Sequence, residues 1–249
     1  MTASVLKVGI LGVGQIGSAI SVLVKPKHEL FLKDIDKDEI QDKQLNILHI
    51  CIPYSKNFQK SVLNQITRTQ PKLVIIESTV PIKTSEKIAL KSKAQVVHSP
   101  VRGIHPNLVK CLKKFVKFIG PTSSQAGKTA KKYYTSLGIK TKILQSSRET
   151  ELGKLFDTTY YALCIAWHQE MERFCRKYKV NFDQAVTQFN QTYNEGYKKL
   201  KPNVIRPVLL PGFIGGHCLM PNINLLKKDF QSDFFQAIIL SNKKKQSSG

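Results

Sequence analysis

Two short motifs carry the residues whose types and spacing could do chemistry. Gly12-Val13-Gly14-Gln15-Ile16-Gly17 lies near the start of this 249-residue chain, and Gly215-Gly216-His217-Cys218 lies near its end. The first has the GxGxxG spacing of a phosphate cradle. Gly12 permits a tight turn, Gly14 lets the backbone approach a pyrophosphate, and Gly17 lets a helix pack closely on a strand. Gln15 and Ile16 would open that helix, whose free N–H groups and partial positive charge suit a phosphate. Asp34 stands 17 residues after Gly17, where a carboxylate can accept hydrogen bonds from ribose hydroxyls. A carboxylate there repels a 2′-phosphate, which favours NAD over NADP, although Lys33 and Lys37 flank it. The second motif sets a thiol beside two flexible residues. Two readings stay open for Cys218: a nucleophile facing a substrate, or an inert thiol beside a packing turn. His217 beside Cys218 has no second His/Cys pair at ligand spacing, so no metal site is predicted. His49 and Cys51 alternate in a strand and are expected to pack.

The elements that would position these residues alternate. Strands are expected at Val5–Leu11, Leu30–Lys33, Asn46–Ile52, Lys72–Ile76, Gln95–His98, Phe115–Ile119 and Lys140–Leu144. Helices fit after the glycine turn (Ala19–Val24) and near 55–67, 84–92 and 122–136. This pattern predicts an α/β doubly wound Rossmann sheet over residues 1–147, with ligands at the carboxyl ends of its strands. Pro53, Ser78 and Thr79 fall at such ends and join the expected cofactor-binding set.

Beyond residue 147 the pattern changes to helix. Glu151–Lys179 holds no proline, and Leu152, Leu155/Phe156, Thr159, Leu163, Ala166/Trp167, Met171, Phe174 and Tyr178 follow the period of a long helix. Phe182–Leu200 and Asn224–Leu240 read as further helices. Residues 148–241 are therefore expected to form an all-helical substrate and dimerisation domain, entered by a long connecting helix, with 242–249 a disordered tail. There is no internal repeat.

Composition narrows the function classes. The formal net charge is +22, yet only six of the 39 basic residues are arginine and the lysines are scattered. Nucleic-acid binders concentrate charge and favour arginine with aromatic platforms, so a nucleic-acid partner is not expected. A positive field that draws a small anionic substrate is. No apolar run reaches the roughly 20 residues a membrane helix needs. Five cysteines without CxxC spacing, and no recognisable leader, point to free thiols in the cytoplasm.

Several segments together resemble the UDP-glucose/GDP-mannose dehydrogenase family, and within it the UDP-N-acetylmannosamine type. His28-Glu29-Leu30 to Asp34-Ile35-Asp36 is similar to its second strand, and Glu77-Ser78-Thr79-Val80-Pro81 to its STVP segment. Glu151-Leu152-Gly153-Lys154-Leu155 is similar to its ExxKL helix start, Gln169-Glu170 to its NE pair, and Gly215-Gly216-His217-Cys218 to its GGHC loop. The resemblance implies oxidation of a sugar-nucleotide alcohol with NAD and a homodimer built on the long helix. It further implies a nucleophilic Cys218, a Lys154 that stabilises an oxyanion, and a Thr79 that positions water or substrate. Thr158 shares a helix face with Lys154, and Gly216 and His217 would line the substrate site. Lys154 can equally be an ordinary surface lysine, and Thr79 a helix cap.

The departures bear on mechanism. Pro100 is followed by Val101 where the family has glutamate, Thr158 replaces an asparagine, and Asn222 replaces an aspartate. The family's C-terminal nucleotide-gripping domain is not found in the sequence. Arg102 and His105 are candidates to recruit an anionic group instead. Two alternatives therefore stand beside the leading reading. One is a two-electron β-hydroxyacid or 6-phosphogluconate-type dehydrogenase in which Cys218 has no covalent role. The other is a catalytically degenerate NAD-binding module.

Overall fold

A computed structural model describes residues 4–104, 106–200, 204–216 and 218–247. The chain divides into two compact units, Met1–Lys154 and Leu155–Gly249. The division falls seven residues later than the 147/148 boundary read from the sequence.

The first unit is built on an eight-stranded sheet in the order β3-β2-β1-β4-β5-β6-β7-β8. The strands are β1 (Lys7–Leu11), β2 (Glu29–Asp34), β3 (Lys37–Asp38), β4 (Ile47–Ile50), β5 (Leu73–Ile76), β6 (Val96–His98), β7 (Lys117–Pro121) and β8 (Thr141–Ile143). β1 pairs in parallel with β2 on one side and with β4 on the other, so the winding reverses beside β1. β4, β5 and β6 continue in parallel, β7 runs antiparallel to β6, and β8 is parallel to β7. The predicted doubly wound architecture is the observed one.

Alternation along the strands explains why both faces are apolar. Val8, Ile10, Ile47, Ile75, Val97 and Ile119 enter one core layer, covered by residues of α1 (Gln15–Val24), α4 (Leu108–Lys114) and α5 (Ser124–Ser136). Leu11, Leu48, Ile50, Val74, Ile76 and Val96 enter the other, covered by α2 (Phe58–Thr69) and α3 (Thr84–Ser92). A sheet buried on both sides reads as continuous apolar runs, which is how β4 and β5 were recognisable. β3 and α4 were not foreseen: a two-residue edge strand and a seven-residue helix leave too short a periodic trace.

α6 (Ser147–Tyr178) begins in the first unit and continues into the second. In the second unit a π-helical turn (Asp183–Gln188) leads into α7 (Phe189–Leu200). The single helix expected over 224–240 is instead two, α8 (Leu219–Leu226) and α9 (Asp233–Gln246). Ser232 separates them by capping α9, its hydroxyl accepting from the Phe234 N–H. α9 runs through Gln246, so residues 242–246 are helical where a disordered tail was expected. Among the described residues no helix is long and apolar enough to cross a membrane.

Candidate functional site

The glycine turn sits where β1 gives way to α1, at the reversal of the winding. Gly12 has φ +92, and a Cβ there would lie 2.9 Å from the backbone of Cys51 and Ile52. The turn is therefore pressed against the exit of β4. A Cβ on Gly17 would fall 1.9 Å from the Gly12 carbonyl oxygen, so α1 can approach β1 only with glycine there. Gly14 differs from both. It is the N-cap of α1, with φ −67, and an added Cβ would meet nothing within 4 Å. Packing within the chain gives no reason for glycine at 14. α1 opens with no side-chain cap and no acidic residue, leaving the N–H groups around Gln15, Ile16 and Gly17 available to an anion.

Asp34 closes the same corner from the end of β2. Its Oδ2 accepts from the Val13 N–H at 2.5 Å and its Oδ1 from the Ile35 N–H at 2.8 Å. The Val13 bond first, then the Ile35 bond, hold its carboxyl below the usual range. The carboxylate thus braces the glycine turn. Ser78 is buried, and its hydroxyl lies 2.6 Å from the Ile52 carbonyl and 3.1 Å from that of Ile50. It ties the β5 exit to the β4 exit beside exposed Pro53. Thr79 is half-buried in the following loop and is not a helix cap, since Lys83 is the N-cap of α3.

Beneath these loops lies a buried charged network that the sequence did not disclose. Glu77 accepts from Lys117 Nζ at 2.7 Å, from Tyr134 Oη at 2.7 Å and from His49 Nδ1 at 3.0 Å. Lys117 also donates to the Ser99 carbonyl at 2.7 Å, so one ammonium joins the exits of β5 and β6. Burial pushes the Glu77 carboxyl up, but Lys117 and His49 outweigh it and hold it at about 2. Glu77 is thus an ionised acceptor, which puts the proton of His49 on Nδ1. His49 packs in β4, and half-buried Cys51 packs against the core just past the end of that strand, where burial raises its thiol well above its usual range. His98 is also buried. Its Nε2 lies 3.1 Å from the Ser78 carbonyl and its Nδ1 2.8 Å from Thr150 Oγ1, and burial pulls it down to about 3.

The start of α6 is fixed to the same unit. Glu151 accepts from the Lys83 N–H at 2.6 Å, the Ser85 N–H at 2.9 Å and Ser85 Oγ at 2.7 Å, at the open end of α3. Burial pushes its carboxyl up to about 7, against these donors. Half-buried Lys154 follows one turn later. Arg102 donates to the Val116 carbonyl at 2.8 Å and stacks on Phe118 at 4.6 Å, so part of its donor capacity is taken by its own chain. His105 and His217 lie outside the described residues.

In the second unit, exposed Cys218 is the N-cap of α8. The Asn222 N–H donates to the Cys218 carbonyl at 3.2 Å, which sets Asn222 one turn behind the thiol. Asn222 is buried and donates Nδ2–H to Thr158 Oγ1 at 3.1 Å, and Thr158 in turn donates to the Leu155 carbonyl at 3.0 Å. Two residues noted separately as departures, at 158 and 222, are therefore partners, a neutral amide against a hydroxyl. Their separation of 64 residues hid this from the sequence. Gly216 has φ +78, a turn that favours glycine.

Residues 148–245 match the UDP-glucose/GDP-mannose dehydrogenase family, central domain. The match covers 98 of the 249 residues, and over that segment the chain is similar to this family. The chain is 31% identical to a UDP-N-acetyl-D-mannosamine dehydrogenase of Methanococcus vannielii over 150 residues, covering 59% of this chain and 33% of the relative. It is 28% identical to that of Pyrococcus horikoshii over 249 aligned positions, covering 88% of this chain and 57% of the relative. The chain thus spans only a part of these curated relatives. In structure it resembles the Pyrococcus horikoshii UDP-D-ManNAc dehydrogenase, with TM-score 0.80, 22% identity, and 97% and 68% of the two chains covered. It also shares its fold with a 3-hydroxyisobutyrate dehydrogenase of Mycobacterium tuberculosis, with TM-score 0.67, 13% identity, and 96% and 94% covered. The UDP-glucose/GDP-mannose dehydrogenase resemblance and the Rossmann-type first unit were both expected from sequence.

Proposed function

We propose that this chain is an NAD-dependent dehydrogenase oxidising an alcohol on an anionic, nucleotide-sugar substrate. The observation that carries this reading is Gly14, a glycine with empty space above it at the uncapped start of α1, where the sheet reverses. The turn from Gly12 to Gly17 would hold the pyrophosphate of NAD and Asp34 its ribose, with Pro53, Ser78 and Thr79 completing the cofactor-binding set. When bound, NAD supplies the hydride acceptor. The named activities of the relatives in sequence support the sugar-nucleotide substrate.

Cys218 is proposed as a nucleophile toward a substrate carbonyl, presented by the start of α8, and Lys154 as the cation beside the developing alkoxide. Arg102, His105, Gly216 and His217 remain the candidates for substrate contact. The Asn222–Thr158 pair favours a second reading. α8 has no acidic residue in its first turn, so the turn behind the thiol offers an amide rather than a carboxylate base. Oxidation limited to two electrons, with no covalent role for Cys218, fits that arrangement. The exposed aromatic face of α6 supports a homodimer.

The decisive experiment pairs calorimetric titration of NAD and NADP with NADH counted per molecule of UDP-N-acetyl-D-mannosamine. Binding of NAD with two NADH formed, falling to one or none in Cys218→Ser, supports the leading reading. One NADH in both proteins supports the two-electron reading. Tight NAD binding without turnover of any sugar nucleotide leaves a binding module.

A further inference from the structure

The segment from residue 204 to Gly216 forms neither helix nor strand, yet its end is held firmly. Three buried polar side chains do this. Asn242, on α9, treats Ile214 as a strand neighbour would. Its Oδ1 accepts from the Ile214 N–H at 2.7 Å, and its Nδ2 donates to the Ile214 carbonyl at 3.0 Å. Gln169, on α6 and fully buried, donates to the Gly212 carbonyl at 2.7 Å and to Asn242 Oδ1 at 3.3 Å. Its Oε1 accepts from the Ser241 hydroxyl at 2.8 Å, which fixes the orientation of the amide. Ser241 accepts in turn from Arg173 at 2.6 Å.

An apolar contact would cover this loop equally well. Bidentate bonds to a single peptide do more, because they set its register and direction. Ile214 is itself buried, and only three residues separate it from Cys218 at the start of α8. α8 is anchored through buried Asn222, Ile223 and Leu226. The thiol is thus tethered closely on both sides.

We infer that Gln169, Ser241 and Asn242 are positioning residues for Cys218: they clamp residues 212–214, so that the Gly215-Gly216 turn presents the thiol in one orientation. The catalytic consequence rests on Cys218 being the nucleophile; the clamp itself does not.

The full-length chain tests this with Asn242→Ala and Gln169→Leu. Lys245→Met is the control, removing the α9 contact to Glu172 at 2.7 Å without touching the loop. In Asn242→Ala, amide exchange over 212–216 is expected to accelerate about tenfold or more, while α6 and α8 keep their protection. Iodoacetamide labelling of Cys218, located by peptide mapping, is expected to change rate about threefold as the thiol samples more than one orientation. Gln169→Leu gives a smaller effect of the same sign, and Lys245→Met gives none. Unchanged exchange over 212–216, or acceleration spread evenly through the second unit, overturns the clamp. If Asn242→Ala does not fold, Gln169→Leu decides by the same criterion.

The turnover arm uses UDP-N-acetyl-D-mannosamine as probe. Loss of about tenfold in kcat with NAD affinity unchanged is expected in Asn242→Ala. A loosened loop with unaltered kcat overturns the positioning of the thiol, whereas Cys218→Ser separately judges the nucleophile. If the wild-type chain does not turn over the probe, exchange and labelling decide.

Discussion

Gly14 and Gly17 differ in what keeps each from being alanine, and the difference separates folding from binding. Gly14→Ala meets no atom of the chain, so its melting temperature is expected to stay within about 2 °C of wild type. Its NAD affinity, measured by calorimetry, is expected to fall about a hundredfold, as the methyl occupies the place of the pyrophosphate. Gly17→Ala drives a Cβ into the Gly12 carbonyl and is expected to fail to fold, as seen by circular dichroism. An affinity of Gly14→Ala equal to wild type would remove the main support for the phosphate cradle. Lys117 makes the opposite case, a residue with structural consequences only. Lys117→Met leaves the Glu77 charge buried without its cation, and is expected to cost ~3–5 kcal/mol in urea denaturation. The double variant Lys117→Met/Glu77→Gln should recover most of this. The glycines were legible in the sequence because their spacing is local. The Lys117–Glu77 pair was not, because it joins strands 40 residues apart.

α6 shows the same division at the scale of an element. Its period was readable, but not which of two adjacent stripes faces inward. The structure buries Leu155, Ala162 and Ala166 and leaves Phe156, Tyr160, Trp167, Phe174 and Tyr178 exposed. Small residues let other segments approach α6 closely, and the large aromatic stripe is left without cover in the chain itself. A second copy covering that stripe is the proposed dimer. Trp167→Glu places a charge in it and is expected to give a monomer in sedimentation velocity with helicity unchanged; a dimer that persists would exclude this face. α8 and α9 were read as one helix because their apolar residues run on, and the Ser232 cap that parts them is a single residue in a polar stretch.

At the scale of the molecule, stability should depend on acid through groups of opposite sign. His98 is pulled down to about 3, so its contribution is complete above pH 6.5 and is lost as pH falls toward 3. Glu77, held at about 2, contributes fully above pH 4.5 and loses that contribution between 4.5 and 2. Glu151, pushed up to about 7, works the other way, its contribution declining as pH rises from 4.5 to 7. His98 and Glu151 therefore oppose each other between pH 6.5 and 4.5, and the steep loss is expected below 4.5. Urea midpoints across this range check it: His98→Gln should leave Glu151 unopposed, so that its midpoint rises as pH falls from 6.5 to 4.5, and a wild-type midpoint that stays level down to pH 3 would contradict the assignment. The sequence by itself determined the doubly wound sheet, the glycine turn with Asp34 at its corner, and the long helix, because each is written in spacings of a few residues. Only the tertiary structure decided what the isolated departures and buried charges do, from Asn222 on Thr158 to Asn242 on Ile214. Those contacts join residues tens of positions apart, and their partners are chosen by packing rather than by any local pattern.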